Sequence, residues 1–126
     1  MKSLLIVLVT FVSINLSAQT EVDFLNAVGK KDLSNVGAYL APNVSFCIND
    51  NQKKVSKSTA ISELDKFLST KKIQKFKILH NGKSSDKASS YRVARIKTQE
   101  GTYRIFAYSE GSGASSKVVE IRIDPM

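Results

Sequence analysis

The chain has 126 residues, 42% of them hydrophobic and 24% charged, and 19 lysines and arginines against 11 acidic residues leave a formal net charge of +8. That size suits one domain with one core. The single cysteine excludes an internal disulfide, and one histidine without clustered carboxylates leaves no zinc site.

The amino terminus reads as a secretory signal peptide over residues 1–18: Lys2, an apolar run from Leu4 to Val12, and a polar stretch closing on Ser17 and Ala18. Thr10, Ser13 and Asn15 interrupt the run before it reaches the roughly 18 to 20 residues of a membrane span. A lipoprotein needs a cysteine just after the run, and Cys47 lies far beyond it. The expectation is therefore an exported protein, periplasmic or extracellular, neither lipid-anchored nor membrane-spanning after processing. What remains, residues 19–126, is 108 residues long and reads as a single α+β domain.

Val22, Phe24, Leu25 and Val28 share a helical face, and Gly29 offers a stop. Asp32 can cap a second short helix through Leu33, Val36, Gly37 and Leu40, which Pro42 ends. Val44, Phe46 and Ile48 then alternate with polar neighbours, and Asn49 to Gln52 turns the chain into a short strand around Lys54 and Val55. Within that alternation Cys47 reads as a small packing residue. Ser56 or Ser58 can cap a third helix, with Ile61, Leu64, Phe67 and Leu68 as its apolar stripe.

The remainder reads as a meander of four strands: Gln74–Asn81, Ser90–Thr98, Thr102–Ser109 and Lys117–Asp124. A small-residue linker, Gly111 to Ser116, precedes the last, whose Val119, Ile121 and Ile123 oppose Glu120 and Arg122. Helices before a long antiparallel sheet indicate an α+β domain with three helices on one face of a curved sheet.

Three strings carry a resemblance to a known family: Phe76-Lys77-Ile78-Leu79-His80-Asn81-Gly82, Gly101-Thr102-Tyr103-Arg104-Ile105 and Glu120-Ile121-Arg122-Ile123. With the leader and the helix order, they make the chain similar to the family of domain of unknown function 4783, in the nuclear transport factor 2-like superfamily. The resemblance implies a cone of three N-terminal helices on a curved, mainly antiparallel sheet of about five to six strands, with a pocket between sheet and helices. Some superfamily relatives use that pocket for small ligands or for dehydratase and isomerase chemistry. Fold alone does not choose among these roles.

Proton abstraction inside such a cone requires an acid or base with a tuned pKa. His80 shares strand parity with Phe76 and Ile78 but is followed by the turn pair Asn81-Gly82; Glu120 enters the cone only if the apolar side of its strand packs outward. Asp23 and Asp32 are explained by helix starts. No glycine-rich loop opens a helix as a phosphate site would, and no cofactor is expected.

The charge is unevenly distributed. From Lys66 to Lys97 there are ten basic residues and one acidic, Asp86, while residues 21–65 and 98–126 each carry one more acid than base. Lys75, Lys77, Arg95 and Lys97 can share one sheet face, with Lys83 in the adjoining loop. Such a field attracts anions. Aromatic residues are not interleaved as nucleic-acid stacking requires, so nucleic acid is not expected.

Two functions follow. One is an exported non-catalytic module binding a small apolar ligand, an anionic envelope component or a protein partner. The other is a dehydratase- or isomerase-type pocket enzyme with His80 or Glu120 as base. Tyr91, Tyr103 and Tyr108 offer contact area for a homodimer through the sheet face.

Overall fold

The computed structural model describes residues 20–126 except 84–88 and 112–114, and residues 80–83 by their backbone alone. The expected leader therefore lies outside the described residues. Helix α1 spans Thr20–Gly29 and buries Glu21, Phe24, Leu25 and Val28. Lys31 ends it, not Gly29. Its backbone is left-handed (φ 58°), and its N–H bonds to the Val28 carbonyl at 3.0 Å while the Asp32 N–H reaches Ala27 at 2.9 Å. Those two bonds form a Schellman closure with a lysine where glycine is usual. Gly29 is required for a different reason, since a Cβ there would stand 2.7 Å from the Phe76 ring.

The expected second helix is a correction: Val36–Tyr39 is one 3-10 turn, and the chain is extended from Leu40. Among the described residues there are thus two α-helices rather than three. Pro42 disfavours helix in the residue before it, and Leu40 is already paired with Val118. Asp32 caps a turn, not a helix, with its carboxylate accepting from the Ser34 hydroxyl at 2.7 Å and the Ser34 N–H at 3.4 Å. Pro42 is tolerated in strand β1 (Leu40–Ile48) because it falls in the irregularity between the paired residues Leu40 and Ser45.

A two-residue turn with Asn49 and Asp50 both at positive φ leads into β2 (Asn51–Ser56). That geometry matches the right-handed twist of a hairpin. Helix α2 (Lys57–Ser69) is capped by Ser56, whose hydroxyl accepts from the Thr59 N–H at 3.3 Å, and it buries Ala60, Leu64, Phe67 and Leu68. The meander follows as β3 (Ile73–Lys83), β4 (Ser89–Thr98), β5 (Gly101–Glu110) and β6 (Lys117–Pro125).

The six strands form one sheet in the order β2-β1-β6-β5-β4-β3. Of the five strand pairs, β1–β6, second from one edge, is parallel and the others are antiparallel. The helices cover one face, where Phe24, Phe46, Leu64, Ile96, Ile105 and Ile121 are fully buried. On β6 the inward residues are Val118, Ile121 and Ile123 rather than a strict alternation from Val119. A register shift opposite Tyr108 and Ser109 inserts the extra residue.

Candidate anion-binding face

Among the described residues no helix packs on the other face of the sheet. Alternation along each strand decides its content: with Phe76 and Ile78 directed to the helices, Lys75 and Lys77 point away, and with Ala94 and Ile96 inward, Val93, Arg95 and Lys97 point outward. Register then sets these residues side by side. Lys75 is opposite Lys97, Lys77 is opposite Arg95, and Arg95 is opposite Arg104 on the next strand.

Lys75, Lys77, Arg95 and Lys97 line one trough of about 330 Å³. Adjoining it is a basin of about 470 Å³, reached by Arg95 and Arg104 and floored by Leu79, Val93 and Phe106. The Tyr91 ring lies 5.3 Å from that of Phe106 and supports the floor. At the far rim Arg122 faces Asp124 at 4.0 Å, the one ion pair found among the described residues. The lysines of the trough and Arg95 have no acidic partner there, while Arg104 has Asp124 opposite it on β6.

A model of the family described as "Domain of unknown function (DUF4783)" matches residues 22–124. The chain belongs to the DUF4783 family. This DUF4783 domain is similar to a DUF4783 protein from Bacteroides fragilis, with 25% identity, 81% of this chain and 94% of that one covered, and a TM-score of 0.72. An NTF2-like protein of unknown function from Cytophaga hutchinsonii superposes with a TM-score of 0.60 at 8% identity, over 85% and 87% of the two chains. A steroid delta-isomerase from Pseudomonas aeruginosa gives 0.64 at 15% identity, over 86% and 78%. Identities this low carry the fold alone, and the fold is NTF2-like α+β with a curved, mixed six-stranded sheet. Among curated proteins no sequence matches.

Of the residues singled out from the sequence of this DUF4783 domain, Lys75, Lys77, Arg95 and Lys97 come together as a group. Lys83 and His80 pair through their backbones with Ser90 and Val93, and their side chains lie outside the description. Glu120 is half-buried on the helix-free face, level with Ser45 and Tyr108. It is therefore on the wrong side of the sheet for a deep base in the cone. Cys47 is buried, as its packing role requires. No group of three or more potential metal ligands occurs among the described residues.

Sequence reasoning missed Glu21. Only 4% exposed, it lies between α1 and the sheet, accepting from the Ser90 hydroxyl at 2.9 Å and the Ser109 hydroxyl at 2.5 Å. Its signal was spacing: Glu21, Phe24, Leu25 and Val28 follow the i, i+3, i+4, i+7 repeat. Arg104 was missed because its partner Arg95 is visible only once β4 and β5 are in register.

Proposed function

We propose that this protein is an exported, non-catalytic binding module whose helix-free sheet face holds an anionic component of the cell envelope, an acidic glycan. One observation carries the reading: three like-charged pairs sit directly opposite one another on neighbouring strands, Lys75 with Lys97, Lys77 with Arg95 and Arg95 with Arg104. Like charges so placed weaken strand pairing. A ligand that binds only the folded state and neutralises them offsets that cost. The same charge opposes a homodimer built on this face, since a second copy would bring a matching cationic cluster against the first.

The test is elution from an immobilised sulfated polysaccharide. Replacing Lys75, Lys77, Arg95 and Lys97 together by glutamine should move elution to lower salt and reduce the dependence of retention on ionic strength. Unchanged elution removes the reading.

A further inference from the structure

We infer that the basin beside the lysine trough takes the body of a free, monomeric amphipathic acid, a carboxylate or phosphate monoester on an alkyl or aryl chain, with its head group on Arg95 and Arg104. This rests on the reading of the helix-free face as an anion site and adds the chemical class of a second occupant.

The floor is the first argument. Leu79, Val93 and Phe106 come from three adjacent strands, and Val93 is directly opposite Phe106, so they form one continuous apolar surface amid a cationic face. Val93 is only 5% exposed although none of the described helices covers it, so half-buried Leu79 and Phe106 provide the open part of the floor. A surface serving solubility alone would place polar side chains here.

The rim is the second. Trough and basin are charged differently: three of the four trough residues are lysines, while the basin is bordered by arginines. A guanidinium fork matches a carboxylate or phosphate with two parallel hydrogen bonds and tolerates apolar surroundings better than an ammonium. Asp124 lies 4.0 Å from Arg122 and opposite Arg104 on β6, so the acid-free side of the rim is where Arg95 stands opposite Arg104, and the head group is received there.

Size and relief choose the occupant. About 470 Å³ falls within the range of small-molecule sites, and the basin crosses four strands, from Leu79 on β3 to Asp124 on β6, a breadth of roughly 14 Å at the usual strand spacing. Docking on a bilayer needs apolar side chains that protrude. Among the described residues Met126, at the end of this basin, is the one large hydrophobic side chain standing exposed, a single residue rather than a protruding apolar patch, and Leu79, Val93 and Phe106 are less exposed than Arg95 and Arg104. A single acid molecule fits this shape and a lipid surface does not.

The experiment is calorimetric titration of the protein with decanoate and decyl phosphate below their micelle concentrations, with decanol and butyrate as controls and anionic vesicles as a separate arm. Saturable binding of the two long acids is expected, weakened at least about tenfold when either the charge or the chain is removed from the probe. Arg104→Gln, an exposed substitution, should weaken decanoate by a similar factor, whereas Lys75→Gln with Lys77→Gln should change it less than about threefold. Absence of saturable decanoate binding, equal binding of decanol, or an unaltered affinity in Arg104→Gln overturns the inference. Binding to vesicles without binding to the monomeric acids overturns it as well. Loss of polysaccharide retention in the lysine variants alongside such a failure would leave the glycan reading standing, so the two fail separately.

Discussion

The two faces of one sheet obey opposite rules. Toward the helices, Phe46, Ile96, Ile105 and Ile121 are fully buried, and the one carboxylate there, Glu21, has both oxygens engaged by serine hydroxyls. On the other face Lys75, Lys77, Arg95 and Lys97 stand together without acidic partners among the described residues, and Arg104 beside them has Asp124 opposite it on β6. The covered face is closely packed, with the Arg92 Nε as a buried polar atom that has no hydrogen-bond partner among the described residues, while the open face accumulates repulsion that folding would avoid. A surface that departs from local stability in this concentrated way is where binding is to be sought.

If that division is right, substitutions on the two faces should separate in sign as well as size. The largest loss should come from Phe46→Ala, which empties the core: about 3–5 kcal/mol by denaturant unfolding, with polysaccharide retention of the folded fraction unchanged. Next is Glu21→Ala, which leaves the Ser90 and Ser109 hydroxyls without their acceptor and should cost about 1–3 kcal/mol. Glu21→Gln, which keeps one acceptor oxygen, should cost less. Equal stability of Glu21→Ala and the parent would show that the buried carboxylate contributes nothing and that the covered face is less exacting than its packing indicates.

Much of this contrast was legible in the sequence, and the exceptions have causes. Alternation placed Phe76 against Lys75 and Lys77, and helical spacing placed Leu64, Phe67 and Leu68 on one stripe, because each pattern depends only on local geometry. The second helix failed at Leu40, where pairing with Val118 across the sheet overrode a local helical repeat. The register of β6 failed at Val119, because a bulge adds one residue without any marker in composition. Glu21 was passed over since a carboxylate on an apolar stripe is legible only if spacing is weighed above polarity; the hydroxyls that justify it lie 69 and 88 residues away. The open face was half legible: the four trough residues follow from parity and a hairpin, but Arg104 and the apolar floor of the basin needed the next strand in place.

Smaller effects sharpen the contrast from the other side. The double substitution Lys75→Gln with Lys97→Gln removes one like-charged cross-strand pair and should leave stability unchanged or raise it by a few tenths of a kcal/mol, while lowering retention on the polysaccharide. A stability loss there would mean that the two lysines support the sheet and would weaken the case for a ligand.

The smallest effect belongs to Asp32, an exposed acid in the loop after α1. The Ser34 hydroxyl, then the Ser34 N–H, holds its carboxyl below the ordinary value of 3.8. A carboxylate whose pKa falls on folding contributes stability that is fully present above the unfolded value and is lost as pH falls through the folded one. Asp32→Asn should therefore lower stability slightly near neutrality, where the charged carboxylate makes its contribution, and converge on the parent as pH falls below 3.8, the window set by that shift. Anion retention on the far face should not respond, because Asp32 contributes only to the turn it shares with Ser34. A parallel change in retention would mean that charge on the helix side reaches the open face, and the two faces could no longer be treated as independent.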